Sequence, residues 1–591
     1  MSTPIKFGTE FLVNNNTVNS QYSPTTTALT DGRFVIIWND ESGDAWGDGV
    51  RAQIYNADGS EAGAEFVVNT VTDRSQASAS ATALANGGFV VTWTDTSETD
   101  GEFYGSSIRA QVFGPDGTKS GGELVVNSDP ALYHLYPAIA ALSDDRFVVI
   151  WTWTGFTGPD TVGRALHAQI FNADGTKSGA EVEISNPTDP FHNFDAISPL
   201  SDGRFLMTWT ELDSGIGTLI GNDVRAQVFN ADASKSGAEF LVNTSNAQYA
   251  STSTITVLSD ARFVVVWEGS PQFGSSEFTM SAQVFNADGT RAGEEVLLKT
   301  ITTGSYFAHD VAALPDGRFV MTWQGNAGSD IVAQAFNPDG TEAGAEAFVN
   351  TTTYRDQFAP KIDVLADGRF VVSWTDESGE GGDDDNLAIR AQILDPRDAA
   401  ITLGGTALAD QYVGTAWADR LSGAAGDDTL IGAAGNDGIK GEDGNDSLLG
   451  GAGNDTIYGG NGNDRIKGEA GDDRLVGAAG NDKITGGIGR DVMTGGLGAD
   501  DFIFASAADT STGSSRDIIT DFRSGFDDID LRALKTEGSF IGAAAFSGTA
   551  GEVRYTQTTR IISGDLNGDS VSDWSINITN KANLVAADFL F

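Results

Sequence analysis

From Gly414 onward a glycine returns at every ninth residue, through Gly423, Gly432, Gly441, Gly450, Gly459, Gly468, Gly477 and Gly486 to Gly495. Five residues after each stands an aspartate: Asp419, Asp428, Asp437, Asp446, Asp455, Asp464, Asp473, Asp482, Asp491 and Asp500. Two residues further comes an apolar side chain, from Leu421 and Leu430 to Met493 and Phe502. A fixed short period held over ten units predicts a solenoid, in which each unit packs only on its neighbours. One buried apolar side chain per unit is worth about 1.5–3 kcal/mol. That falls far short of the entropy lost in ordering nine glycine-rich residues. A hard cation can make up the difference, because Ca²⁺ takes about six to eight oxygens from carboxylates and backbone carbonyls. Glycines let carbonyls converge, and the ten aspartates supply charge. With two units per coil, ions are expected in two columns, about eight in all.

This G-G-x-G-x-D-x-U-x pattern resembles the RTX family of calcium-binding repeats. The resemblance implies a parallel β-roll over residues 414–504, preceded by a linker at 401–413. Extracellular calcium modules bind at roughly 10⁻⁴–10⁻³ M, so the roll is expected to order only outside the cell.

Residues 505–591 carry Asp517-Ile-Ile-Thr-Asp-Phe522, Asp527-Asp-Ile-Asp-Leu531, Gly551-Glu-Val-Arg-Tyr555 and a terminal Ala587-Asp-Phe-Leu-Phe591. They resemble the small β-rich C-terminal domain of serralysin-type metalloproteases, with its uncleaved type I secretion signal. The resemblance implies a type I secretion apparatus as partner and an extracellular or cell-surface location outside a Gram-negative bacterium. It does not extend to proteolysis, since none of His134, His167, His192 or His309 lies in an H-E-x-x-H zinc motif. Asp565, Asn567, Asp569 and Asp573 have the opening spacing of an EF-hand loop, but no glutamate closes it.

The first 400 residues carry a second repeat. A phrase of the form D-G-R-F-V-V-x-W recurs, ending at Trp38, Trp93, Trp151, Trp209, Trp267, Trp323 and Trp374, and an A-Q dipeptide follows each. Every unit reads as four antiparallel strands joined by glycine turns. Seven such units predict a seven-bladed β-propeller over 1–400, so the whole chain is expected to be all-β. A lone opening strand over Glu10–Asn14 is expected to complete the seventh blade, which ends at Gln392–Leu394 without an outer strand of its own.

Eight residues before the leucine of each D-G turn stand Gln21, Gln76, His134, His192, Ala250, Tyr306 and Gln357. Such a ring near the channel mouth suits either a ligand face or hydrogen bonds joining blade to blade. The propeller is expected to be a recognition module for glycan or a surface protein. The alternative is a polysaccharide-active enzyme, a glycosidase or lyase, for which Asp195, Glu211, Asp213 and Glu268 offer carboxylates.

Composition narrows the partners. With 83 acidic against 35 basic residues the net charge is -48, which disfavours nucleic acid and anionic membranes. There is no cysteine, so disulfides and thiolate metal sites are excluded. No apolar run of about 20 residues predicts membrane insertion, and Met1–Asn16 lacks the pattern of an ordinary signal peptide.

Overall fold

Each F-V-V-x-W segment becomes a strand with both faces buried, which is why its apolar run is continuous rather than alternating. In the first unit Val35 and Ile37 share a cluster with Phe89 and Trp93 of the next, while Phe34, Ile36 and Trp38 face Val371 and Ile389 of the last. Sheets that bury both faces against neighbours close into a ring. The computed structural model describes residues 3–44, 47–97, 105–129, 133–143, 145–158, 161–185, 192–212, 222–244, 249–270, 277–301, 308–325, 330–379, 387–534, 539–580 and 582–591. It is all-β with almost no helix, and its contacts divide it into two units, 1–397 and 398–591.

The first unit is a seven-bladed propeller of four-stranded antiparallel sheets. One blade runs Gln21–Ala28, Phe34–Asp44, Gly47–Tyr55, Phe66–Val67. The opening strand spans Ile5–Leu12 rather than Glu10–Asn14. It pairs antiparallel with Ala388–Asp395, setting Phe11 opposite Ala391, and so completes the last blade. The D-G-R turns tie neighbours together. Gly32 turns at φ 85°, and Arg33 Nη2 donates to Pro115 O in the next blade at 2.8 Å. Arg369, buried over the Phe7 ring, donates to Ala57 O at 2.7 Å and links the seventh blade to the first.

The second unit is a parallel β-solenoid. Strands 18 residues apart pair in register: Arg420–Ala425 with Gly438–Asp443 in one sheet, Thr429–Ala434 with Ser447–Ala452 in the other. Two nonapeptides thus make one coil. Leu421, Leu430, Ile439, Leu448 and their successors through Phe502 stack inside.

Two expected boundaries move. Residues 401–413 are not a linker but the first coil, for Thr402–Gly404 and Gln411–Val413 begin the two sheets. Nor does the fold stop at 504. Asp517–Ile519 and Trp574–Ile578 continue one sheet, while Asp528–Asp530 and Phe589–Leu590 continue the other. The physical reason is common to both ends: a solenoid exposes raw sheet edges, and flanking strands that continue the pairing cover them.

Candidate metal centre

Each aspartate of the repeat lies at the turn entering its strand, its side chain shut inside the coil. From Asp428 to Asp500 all nine are at most 3% exposed. One carboxylate oxygen has a fixed task. Asp437 Oδ1 accepts the N–H of Asp419 at 2.8 Å, Asp455 Oδ1 that of Asp437 at 2.8 Å, and Asp464 Oδ1 that of Asp446 at 2.9 Å. The ladder steps 18 residues at a time. The other oxygen, Oδ2, is buried without a hydrogen-bond partner in every one of these nine, and in Asp517. A buried carboxylate oxygen left open ordinarily costs stability. Ten of them at one structural position describe a site awaiting a cation.

The glycines shape that site. A Cβ built on any first-position glycine from Gly414 to Gly495 would lie 1.9–2.7 Å from the Oδ2 five residues on. At Gly423 through Gly477 it would also meet the carbonyl of a glycine one coil ahead, as at Gly441, where Asp446 Oδ2 and Gly459 O converge. The fourth-position glycines, such as Gly462 at φ 131°, lie so close to the previous coil that a Cβ would meet Gly444 O at 1.8 Å. Among the described residues no three acidic or histidine side chains converge on a point. A bound ion would therefore draw mostly on backbone carbonyls, with an aspartate or two. An all-oxygen donor set of this kind suits Ca²⁺.

Electrostatics agrees. Without a cation, burial and then the neighbouring rungs push Asp437, Asp473 and Asp482 up to about 7. Burial likewise lifts Asp464 to about 6 and Asp517 to about 8. A divalent ion would hold all of them ionised.

The ends are different. Asp419, expected among the ligands, is already satisfied: Oδ2 accepts Thr415 N–H at 2.5 Å and Oδ1 accepts Ile401 N–H at 2.7 Å. Asp410 is closed in the same way by Thr406. Leu408 and Trp417 occupy the place that Gly426 and Gly435 hold in later units. At the far end Asp527 accepts Arg523 N–H at 2.6 Å, and the Arg523 guanidinium reaches Gly498 O and lies 3.8 Å from Asp500 Oδ2. A fixed cation therefore stands beside the last orphaned oxygen of that column. The EF-hand-like loop is also closed, because Asp565 accepts Gly568 and Ser570 N–H at 2.7 and 2.8 Å. Sequence reasoning missed Asp410, Asp517 and these caps, although Gly405-x₄-Asp410-x-Tyr412 keeps the nonapeptide spacing.

Four positions of the propeller ring, Gln21, Gln76, His134 and Gln357, are held in hydrogen bonds within the fold. Gln76 Oε1 accepts from Asn69 Nδ2 at 3.0 Å, and its Nε2 donates to Asp95 Oδ1 at 3.1 Å, joining the end of one blade to the next. Gln21 and Gln357 repeat the arrangement with Asn14 and Asp40, and with Asn350 and Asp376. His134 is buried with Nδ1 accepting from Trp151 Nε1 and Nε2 against Asp129 O, and burial lowers its pKa. Fully hydrogen-bonded interior groups have nothing left for a ligand. Ala250 is buried as well. Tyr306, Asp213 and the side chain of His192 lie outside the described residues. Glu211 is paired with Arg225 at 2.6 Å, and Glu268 faces His309 at 3.4 Å. Asp195 accepts from Thr210 and Ser253 at 2.7 and 2.8 Å, and burial raises it to about 6.

Residues 404–439, 440–475 and 467–502 match the family model of the RTX calcium-binding nonapeptide repeat. No curated protein matches the chain. Among solved structures, a protein of unknown function from Dyadobacter fermentans is 12% identical over 67% of this chain and 100% of its own, with TM-score 0.41. The polysaccharide lyase Uly1 is 10% identical over 65% and 91%, with TM-score 0.43. An α-L-arabinofuranosidase from Fusarium graminearum is 12% identical over 53% and 91%, with TM-score 0.35. Likenesses this distant say nothing of what the chain binds or turns over.

Proposed function

We propose that this chain, with its RTX calcium-binding repeats as the starting point, is a secreted protein that leaves the cell unfolded, orders its roll on meeting extracellular calcium, and presents the propeller as a recognition module for glycan or a surface protein. The observation carrying this reading is the column of buried Oδ2 atoms without partners. At cytoplasmic calcium, far below the roughly 10⁻⁴–10⁻³ M at which extracellular modules bind, those oxygens are uncompensated. Outside, about eight ions in two columns would compensate them. The C-terminal motifs support export through a type I apparatus, and the acidic, cysteine-free composition suits that route.

Recognition is tested with the full chain in millimolar calcium on a glycan array and on immobilised surface proteins. Retention on a defined subset supports the module; no retention on any surface removes it. Export is tested by deleting residues 582–591 in a host supplied with a type I apparatus. The deletion is expected to abolish release, and undiminished release would count against the route.

A second reading, a polysaccharide-active enzyme, draws on Asp195, whose carboxyl is poised near neutrality between two hydroxyls. A polysaccharide screen of the secreted chain beside its Asp195→Asn variant decides it, since only an enzyme would show turnover that the substitution removes.

A further inference from the structure

The roll has a groove that its calcium chemistry does not use. Arg420, Gly438 and Thr456 are partners on three adjacent strands of one sheet, and beside them run Ser422, Lys440 and Tyr458. Together with Thr402 on the first strand they border a cleft of about 420 Å³, behind which the side chains of Leu421 and Ile439 are buried in the coil. Four strands at about 4.8 Å spacing make it roughly 14 Å long, the reach of a short oligosaccharide.

Gly438 makes the notch. Unlike second- and fourth-position glycines such as Gly460 and Gly462 it has no positive φ, and unlike the first-position ones it has no crowding neighbour: a Cβ there would meet only Asp419 O at 3.8 Å. The backbone does not need a glycine at this point. The equivalent outward positions carry Arg420, Thr456 and Arg474. A side chain at 438 would simply fill the middle of the cleft.

Its borders are unlike the rest of the chain. In a protein of net charge -48, Arg420 and Lys440 flank the notch, and neither has an ion-pair partner among the described residues. Glu442, on the same strand as Lys440, takes its hydrogen bond from Ser422 Oγ at 3.0 Å rather than from either cation. Tyr458 stands 39% exposed at the edge. Two cations for carboxylates, an aromatic face for sugar C–H groups and the hydroxyls of Thr402 and Thr456 make a combined set of contacts. An acidic peptide would use the cations and leave the aromatic face without a rigid partner. We propose that this cleft binds an acidic oligosaccharide, with Arg420 and Lys440 on its carboxylates and Tyr458 under a ring.

The site lies in the roll, apart from the propeller recognition proposed above. The test is calorimetric titration of the full chain in millimolar calcium with a hyaluronan hexasaccharide, beside the neutral chitin hexasaccharide. The acidic sugar should bind saturably and the neutral one far more weakly. Lys440→Glu and Arg420→Glu should each weaken binding about tenfold, the loss of one charge-assisted contact. Gly438→Leu should abolish it while leaving the calcium-induced circular dichroism unchanged. Affinity untouched by all three variants overturns the proposal and places the sugar elsewhere, leaving propeller recognition standing. Absence of binding overturns it too, as does a self-association in sedimentation that Gly438→Leu disrupts, because the cleft would then be filled by a second copy.

Discussion

The two units of this chain both bury polar groups, and they dispose of them in opposite ways. In the propeller the repeated latch residues find their partners within the protein, as Gln76 does between Asn69 and Asp95. In the roll each repeat aspartate from Asp428 to Asp500 gives one oxygen to the ladder and leaves the other open. A closed network makes a fold that stands unaided, whereas an open one makes folding conditional on what fills it. The contrast is a difference in who supplies the last contact, and it can be broken or sharpened by experiment.

Removing calcium should have the largest effect. With excess chelator the solenoid is expected to lose its β-structure, and Trp574, buried in the continuation of its sheet, should become solvent-exposed. The propeller tryptophans Trp38, Trp93, Trp151 and Trp374 are fully buried in their own clusters and should keep their near-ultraviolet signal. Loss of both signals together would show that the propeller also depends on the ion, and identical spectra with and without chelator would end the conditional reading.

Arg369→Ala probes the other side. Arg369 pairs with Asp367 at 2.7 Å, and both are buried. Removing one partner of a buried pair typically costs about 3–5 kcal/mol. The propeller melting transition should fall accordingly with or without calcium, while the calcium midpoint of the roll stays in place. A shift in that midpoint would mean that the two units fold as one.

Much of this contrast could be read before any coordinates. Seven phrases of the D-G-R-F type define blades, and the glycine and aspartate columns define a roll, because both follow from short-range periodicity. What could not be read was which polar atoms end up closed. Gln76 and Asp437 are both buried polar residues in repeated positions, and only their neighbours distinguish a latch from a ligand. Asn69, seven residues ahead of Gln76, was visible but had no assigned task. The true ends of the roll escaped for a similar reason. Thr406 and Thr415 satisfy their aspartates with a hydroxyl and an N–H, and a threonine in a degenerate repeat carries no signal of that until the carboxylate is seen beside it. Asp517 and Asp527 fall out of register because longer segments intervene.

Glycines refine the comparison further. Gly462→Ala forces a side chain at φ 131° and within 1.8 Å of Gly444 O; strain of this kind costs about 1–3 kcal/mol before the clash is counted. It should raise the calcium concentration needed for folding. Gly438→Ala, on the open face, should change stability by no more than about 0.5 kcal/mol. Equal effects from both would mean that general glycine flexibility, and not the packed coil, sets the calcium requirement.

The smallest effect separates charge from shape. In Asp464→Asn the side-chain oxygen can still accept the Asp446 N–H, but the carboxylate charge at Oδ2 is gone. Without calcium that carboxyl is raised to about 6, chiefly by burial and then by Asp446. A raised carboxylate destabilises the folded form as pH climbs from its unfolded value near 4 through its folded one near 6. In chelator at pH 7.5, where the parent roll is largely unfolded, the variant should therefore keep at least as much residual β-structure as the parent, and the parent should approach it as the pH falls toward 5. In millimolar calcium the order reverses, with the variant weaker on the order of 1 kcal/mol for the lost ligand. A pH titration of both proteins in both buffers reads all four cases. If the variant is weaker in chelator as well, Asp464 is holding the coil by its own hydrogen bonds, in the manner of Gln76, and the roll is built like the propeller after all.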